Sequence, residues 1–213
     1  MAKKAFFITI EGLEGSGKSS VINFLKNSLE TDGFSVRFFR EPGSTYIGEK
    51  IREILLDRRN KELSKHTELL LYLAARTQMI EEMLGNSLSK YDFVVCDRFF
   101  DSTIVYQGYA LGLGAIVEKA VKLFALGVNP DLTLVLDAPP EDGLKRVGIK
   151  DRIESRPLEF HKKLRRGYLQ LAKKNPRRIK VIDARGSLED IYAQAEKIIK
   201  QKMKSSKKRN KPR

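Results

Sequence analysis

The sequence predicts an α/β fold in which helices flank a five-stranded parallel sheet in three layers. Two observations lead to this prediction. Five short apolar runs recur along the chain, and segments with helical spacing of apolar residues separate them, as is typical of alternating strands and helices. Parallel neighbours need such crossovers. The 213 residues are 41% apolar, which is enough material for the core of one domain.

The strands are predicted from apolar runs of four to six residues. These runs cover residues 5–10, 34–39, 93–96, 132–136 and 179–182. Asp97 follows the third run and Asp137 follows the fourth. Ligands bind outside the carboxyl ends of the strands in open α/β sheets, so we expect the segment that begins at Asp97 to lie at a binding crevice.

The helices are predicted from the spacing of apolar residues between these runs. A Gly-rich turn leads from the first strand into a helix over 18–29. Apolar side chains recur at helical spacing over 47–56, and 62–84 is rich in Leu, Ala and Glu. A closing helix is predicted over 188–203. The segment 40–43, Arg-Glu-Pro-Gly, ends the second strand because Pro and Gly interrupt regular structure.

The charge of the chain is unevenly distributed. Lys and Arg number 41 against 27 Asp and Glu, a formal charge of +14. Residues 200–213 hold eight positive charges and no negative one, so the rest carries only +6. We expect one domain over 1–203 and a basic, disordered tail over 204–213, because the tail has almost no apolar surface to bury. Such a tail aids solubility or attracts nucleic acid weakly.

The cysteine count and the hydropathy bear on location. Cys96 is the only cysteine, so an internal disulfide is excluded. No apolar stretch approaches the roughly 18 residues that a membrane span needs, and the start of the chain does not resemble a signal peptide. We therefore expect a cytoplasmic protein with no membrane partner.

The turn after the first strand matches the phosphate-binding pattern G-x-x-x-x-G-K-[ST]. Its candidate nucleotide-binding residues are Gly12, Leu13, Glu14, Gly15, Ser16, Gly17, Lys18 and Ser19. Glycines let the backbone N–H groups turn toward an anion, and the helix that follows adds the positive end of its dipole. Lys18 would reach the β- and γ-phosphates of ATP, and the Ser19 hydroxyl would bind Mg²⁺.

A phosphate loop alone does not define the reaction. A regulatory GTPase would carry Asn-Lys-x-Asp after a late strand. The Asn-Lys pair at 60–61 does not meet this requirement, because it is followed by Glu62 and Leu63 and does not follow a strand. Motor and transport ATPases need insertions or partner domains for which 213 residues leave no room.

A second binding region is predicted after the third strand, over 97–108. Asp97 is placed to act on the metal, and Arg98 offers a bidentate fork for a phosphate. Side chains four apart share one helix face, so Thr103 and Gln107 form one polar pair, and Ser102 and Tyr106 form another. On the long helix, Tyr72 and Arg76 stand four apart in the same way, an aromatic plate and a guanidinium that suit a flat base.

Several motifs together resemble the thymidylate kinases, in particular the bacterial branch without an arginine in the phosphate loop. The resemblance spans about residues 5–200 and is carried by residues 11–20, 40–43, 70–76, 97–108 and 129–132. It implies a P-loop fold similar to nucleoside monophosphate kinases, a homodimer, Mg²⁺, and transfer of the γ-phosphoryl group of ATP to dTMP, giving dTDP and ADP in dTTP synthesis.

The resemblance also implies roles for individual side chains. Tyr72 would stack on thymine and Arg76 would bind a thymine carbonyl, while Tyr106 would exclude a ribose 2′-hydroxyl and Glu14 would bind the sugar hydroxyl of dTMP. The other implied acceptor-site residues are Arg40, Arg52, Arg98, Ser102, Thr103 and Gln107. One departure from the family pattern is Ser44, where many relatives have glycine.

Transfer between two polyanions requires positive charge but no general base, because a phosphate monoester is mostly ionised at neutral pH. The phosphate loop lacks an arginine, so the charge must come from elsewhere. By resemblance, the basic segment 146–156 is a lid. We expect Arg146 and Arg152 to close over ATP and act as catalytic residues beside Lys18 and Arg98. The resemblance also implies that Arg185 borders the adenine.

Two alternatives remain open from the sequence. One is a kinase for another nucleoside monophosphate. The other is a nucleic-acid-binding P-loop ATPase that uses the basic tail, although the body of the chain shows no motif that reads nucleic acid.

Overall fold

The computed structural model describes residues 4–146, 148 and 151–209, without the side chains of 205–209. Its strands are β1 Phe6–Gly12, β2 Val36–Arg40, β3 Phe93–Asp97, β4 Leu132–Asp137 and β5 Ile179–Asp183. Its helices are α1 Lys18–Thr31, α2 Tyr46–Leu56, α3 Lys65–Met79, α4 Gly85–Lys90, α5 Phe100–Thr103, α6 Ala115–Phe124, α7 Pro140–Arg146, α8 Leu158–Lys174 and α9 Leu188–Arg209. Two π-helical segments, Ile80–Leu84 and Ile104–Ala110, continue α3 and α5. In these ranges, no helix is both long and apolar enough to cross a bilayer.

The five strands form one parallel sheet in the order β2-β3-β1-β4-β5, which confirms the predicted α/β class. Ile10 of β1 pairs with Asp97 of β3, and Arg40 of β2 pairs with the same Asp97. Because all strands run the same way, their carboxyl ends meet at one edge. The phosphate loop and the segment after Asp97 therefore lie side by side.

Helices cover both faces of the sheet and complete the three layers. On one face, α1 and α9 bury an apolar cluster that includes Ile8, Leu25, Ile191, Ala195 and Ile199. The last three belong to α9 and recur at every fourth position, so they share one side of that helix. The opposite face of the sheet is covered by α3, α6 and α8.

On that opposite face the core has two parts. Leu73 of α3 and Val117 of α6 pack with Phe7 and Val94 of the sheet. Leu164 and other residues of α8 belong to a second cluster that reaches the phosphate loop and the π-helical segment Ile104–Ala110. Burial of such side chains is the main favourable term in folding, and it holds the elements that carry the candidate site against the sheet.

The structure differs from the sequence prediction in several elements. The predicted helix over 62–84 begins at Lys65, because the Ser64 hydroxyl accepts a hydrogen bond from Thr67 N at 3.2 Å and caps it. It passes into π-helix at Ile80. The helices α6 and α8 were not assigned from the sequence. The buried face of α8 contains His161 and Gly167, which weaken an apolar periodicity.

The last helix also extends beyond its predicted end at 203. The helix α9 runs to Arg209 and so includes residues 204–209 of the segment expected to be disordered. Residues 210–213 of that tail lie outside the described residues, as do residues 147, 149 and 150 of the expected lid.

Candidate active site

A cavity of about 250 Å³ opens at the carboxyl edge of the sheet. It connects the phosphate loop with the segment after β3. Twelve of the predicted site residues line it: Glu14, Gly15, Lys18, Ser19, Arg52, Tyr72, Asp97, Arg98, Ser102, Thr103, Tyr106 and Gln107. The structure therefore brings together most of the residues proposed for two different ligands.

The phosphate loop has the backbone conformation that its glycines permit. Gly12, Gly15 and Gly17 have φ values of 140°, 68° and 92°, which side chains other than glycine rarely adopt. At Gly12 a Cβ atom would also lie only 2.6 Å from the carbonyl oxygen of Leu136. Leu13 and Ser16 are buried, so these two residues contribute backbone and packing.

Lys18 is the first residue of α1 and folds back over the loop. Its Nζ donates to the carbonyl oxygens of Gly12 at 3.2 Å and Leu13 at 2.6 Å. Burial, followed by the nearby charge of Arg98, lowers the pKa of Lys18 to about 8. The ammonium group is therefore present at neutral pH and is lost on a moderate rise in pH.

Arg98 joins the phosphate loop to the segment after β3. It adopts a left-handed backbone conformation with φ 66°. Its guanidinium donates to the carbonyl oxygen of Gly12 at 3.0 Å and to Glu14 Oε1 at 2.9 Å. The same Glu14 oxygen accepts a hydrogen bond from the Tyr106 hydroxyl at 2.5 Å. This arrangement holds a cation in the wall of the cavity.

Glu14 lies among several groups that favour its ionised form. Burial raises the pKa of this carboxyl, but His161, Arg98 and Lys18 outweigh burial, and the net pKa lies well below the usual range. His161 Nδ1 lies 3.5 Å from Glu14 Oε2, and neither atom has a hydrogen-bond partner among the described residues.

A second buried carboxyl group, Glu11, lies behind Arg98. Glu11 accepts hydrogen bonds from Phe99 N, the Ser102 hydroxyl and the Tyr168 hydroxyl at 2.8, 2.6 and 2.9 Å. The two hydroxyl groups also accept from Arg98, each at 3.2 Å. Glu11 therefore fixes the groups that orient the Arg98 side chain.

The far end of the cavity has a flat wall and two buried polar residues. Tyr72 lines the wall. Arg76 is fully buried behind it, where it binds Glu41 through two hydrogen bonds and donates to Thr103 Oγ1 at 2.6 Å. Gln107 Nε2 donates to Glu68 Oε1 at 2.8 Å. Arg76 does not line the cavity itself, but its contact Thr103 does.

Two further predicted arginines lie near the loop after β2. Arg52 lines the cavity and donates to the carbonyl oxygen of Pro42 at 3.0 Å. Arg40 is half exposed and pairs with Glu49 at 2.9 Å outside the cavity. Ser44, the departure from the family pattern, has φ 69°, and its hydroxyl accepts a hydrogen bond from Arg40 N at 2.8 Å, which ties this backbone turn together.

Ser19 and Asp97 are suited to a divalent metal ion with oxygen ligands. Both line the cavity beside Lys18, and Asp97 Oδ1 is buried without a hydrogen-bond partner among the described residues. Over the residues that the structure describes, no group of three or more His, Cys, Asp and Glu side chains forms a metal cage. Magnesium bound with nucleotide phosphates takes only one or two protein ligands, so the two residues fit.

The two arginines expected in the lid lie in different places. Arg146 is exposed, and its Nη1 donates to the carbonyl oxygen of Gly15 at 3.3 Å, which places it at the phosphate loop. The Nη2 of Arg152 donates to Glu68 at 2.7 Å, and its Nε donates to the carbonyl oxygen of Leu55 at 2.7 Å. A buried carboxylate therefore holds Arg152, whose side chain does not line the cavity.

Arg185 also lies apart from the cavity. It is exposed and pairs with Asp183 at 2.6 Å, and hydrogen bonds from Arg185 lower the pKa of Asp183 to about 2.

The sequence analysis missed four buried residues that support the site. They are Glu11, Glu68, His161 and Tyr168. Glu11 gave one signal, a lone charge at the end of an apolar strand. The partners of Glu68 and Tyr168 are tens of residues away in the chain, and no local pattern indicates such contacts.

A phosphate loop that shares a cavity with a second polar pocket is the arrangement of an ATP-dependent kinase of the P-loop class, in which positioned charge replaces covalent chemistry. A family model described as thymidylate kinase matches residues 10–195. The chain belongs to the thymidylate kinase family.

Individual relatives agree with this assignment. The thymidylate kinase of Caldanaerobacter subterraneus subsp. tengcongensis is 43% identical over 204 residues, covering 94% of this chain and 98% of the relative. That of Mycoplasma capricolum subsp. capricolum is 42% identical over 209 residues, covering 95% and 98%. A crystal structure of thymidylate kinase from Ehrlichia chaffeensis has a TM-score of 0.76 and 30% identity, covering 92% of this chain and 99% of that chain.

Proposed function

We propose that this protein transfers the γ-phosphoryl group of ATP to dTMP, giving dTDP and ADP in dTTP synthesis. The observation that carries the proposal is the single cavity shared by the phosphate loop and the pocket of Tyr72 and Gln107. It allows a donor and an acceptor nucleotide to meet with their phosphates near Arg98.

The acceptor would lie with its base at Tyr72 and its phosphate at Arg52 and Arg98. Thr103, Gln107 and the buried Arg76 would recognise the base edge. Glu14 would bind the sugar hydroxyl, which its position beside Tyr106 supports, because the 2.5 Å hydrogen bond holds the carboxylate within the cavity. Arg40 would contact the acceptor phosphate only after its ion pair with Glu49 breaks.

The donor would bind along the phosphate loop, with Lys18 leaving the carbonyl groups of Gly12 and Leu13 for the phosphates. Ser19 and Asp97 would hold Mg²⁺, which when bound neutralises phosphate charge and orients the oxygens. Arg146, already at Gly15, is well placed to stabilise charge on the transferred group. A catalytic role for Arg152 remains a prediction, which requires this residue to leave Glu68.

The residues promote transfer by charge and position. The attacking phosphate oxygen of dTMP is mostly ionised at neutral pH, so no side chain needs to remove a proton. Lys18 and Arg98 offset the repulsion between the two polyanions, and Arg98 is held in place by Glu14 and by the hydroxyl groups that Glu11 binds. Positioned charge of this kind requires little reorganisation during the reaction.

We also propose that the protein is a cytoplasmic homodimer. Leu70 of α3 and Leu123 of α6 are large apolar side chains that are 62% and 67% exposed, and their helices are neighbours, since the Thr77 hydroxyl donates to the carbonyl oxygen of Phe124 at 3.4 Å. A second copy would cover this patch. The free, buried Cys96 thiol fits a reducing compartment.

Light scattering tests the dimer. The wild-type protein should have twice the mass of one chain, and a Leu123→Glu variant should have the mass of a monomer. A wild-type protein with the mass of a monomer would contradict the dimer.

The test of the proposed function is a coupled ADP-release assay across dTMP, dUMP, UMP, CMP, GMP and AMP. We expect dTMP to have the highest kcat/KM. A clear preference for any other acceptor would refute the base-pocket assignment. Removal of residues 204–213 should leave turnover with dTMP unchanged, whereas a protein that acts through nucleic acid would lose binding to it.

A further inference from the structure

Glu68 is a fully buried carboxylate that no predicted role explains. Its two oxygens bind different parts of the protein. Oε1 accepts a hydrogen bond from Gln107 at 2.8 Å, while Oε2 accepts from Arg152 at 2.7 Å and from Arg156 at 2.6 Å. The carboxylate thus connects a residue of the cavity wall with two arginines beyond it.

These contacts determine which end of the Gln107 amide faces the cavity. A carboxylate paired with two guanidinium groups only accepts hydrogen bonds, so the Gln107 NH₂ group must point toward Glu68. The amide oxygen is left for the cavity that Gln107 lines. Among the described residues, no donor binds this oxygen.

A buried donor lies directly behind the cavity wall at this end. Arg76 Nη1 is buried and has no hydrogen-bond partner among the described residues, and Arg76 binds Thr103 of the cavity wall. A donor beside an acceptor matches the 4-carbonyl and N3–H of thymine or uracil. Cytosine presents the reverse pattern, an amino group and an unprotonated N3.

We propose that Glu68 is a specificity-determining positioning residue: by holding the Gln107 amide with its oxygen toward the base, it admits thymine and rejects cytosine. The inference rests on the proposed function, because it assumes that the base of the acceptor lies at Gln107. Glu68 does not touch the base and acts through Gln107.

The substitution Glu68→Gln tests this directly. Arg152 and Arg156 only donate, so they hold the oxygen of the new amide on their side and leave its NH₂ group facing Gln107. Gln107 must then turn its own oxygen toward residue 68 and its NH₂ group toward the base. We expect the ratio of kcat/KM for dTMP over dCMP to fall by at least about tenfold, because the acceptor for N3–H is lost and a donor for cytosine N3 is gained.

The matched control is Arg156→Gln, which removes one partner of Glu68 and leaves the carboxylate and Gln107 in place. Its dTMP-to-dCMP ratio should stay within about twofold of wild type, whatever its total activity. A Glu68→Gln ratio that also stays at the wild-type value, in a variant shown to be folded by circular dichroism, overturns the proposal. A loss of specificity in both variants assigns the effect to general loosening and overturns it equally.

A second measurement applies to the wild-type protein if Glu68→Gln does not fold. Calorimetric titration should show dTMP methylated at N3 binding at least about tenfold more weakly than dTMP, because the methyl group replaces the hydrogen that Gln107 accepts. Equal binding overturns the proposal. Failure of wild-type protein to phosphorylate dTMP would instead overturn the proposed function, so the two failures are distinguishable.

Discussion

Glu11 provides a prediction about how stability depends on pH, through the substitution Glu11→Gln. The Glu11 carboxyl is fully buried at the end of β1. Burial, followed by the nearby charge of Asp101, raises its pKa from 4.5 to about 7. An amide keeps the contacts, because its oxygen accepts from Phe99 N and its NH₂ group donates to the hydroxyl oxygens of Ser102 and Tyr168.

The size of the effect follows from this pKa. A rise from 4.5 to about 7 corresponds to about 3 kcal/mol. The folded state keeps the proton over a range in which the unfolded chain releases it, so this contribution is present below about pH 4.5 and is lost as the pH rises through 7. Glutamine has no proton to release. Relative to the variant, the wild type should lose about 3 kcal/mol between pH 4.5 and 8.

The assay is urea unfolding of both proteins at several pH values from 4.5 to 8.5, with the free energies of unfolding subtracted at each pH. Subtraction removes the contributions of groups that do not contact Glu11. The exposed Glu62→Gln controls for the removal of one acidic group. A difference between wild type and Glu11→Gln that is constant over this range would refute the reasoning about burial.

Three further predictions concern the phosphate loop. Arg146→Ala should lower kcat on the order of a hundredfold with little change in Tm, while the exposed Arg166→Ala should not; equal rates would exclude Arg146 from the reaction. The kcat/KM for ATP should fall tenfold per unit above about pH 8, as free Lys18 loses its proton, whereas a profile that is flat to pH 10 would contradict the lowered pKa. Gly12→Ala should destabilise the fold by about 1–3 kcal/mol, because φ is 140° and a Cβ would approach Leu136 O. An unchanged denaturation midpoint would contradict this cost and would show that the loop relaxes around the methyl group.

Much of this protein could be predicted from short stretches of sequence. The strands and part of the helices followed from the spacing of apolar residues, and all five strands lie where the apolar runs occur. The phosphate loop was recognisable because its function depends on backbone conformation within eight consecutive residues. For the same reason, the segment from Asp97 to Gly108 could be assigned to the binding edge before its contacts were known.

Only the tertiary structure decided how the charges pair. Arg152 lies within the expected lid in sequence, yet it binds Glu68, 84 residues earlier. Glu11 and Tyr168 are 157 residues apart and share a hydrogen bond. Local sequence specifies backbone geometry and the apolar face of each strand or helix, because these depend on the order of residue types along the chain. A buried charge, in contrast, requires a partner in space, and that partner is determined only when helices such as α3 and α8 pack against the sheet.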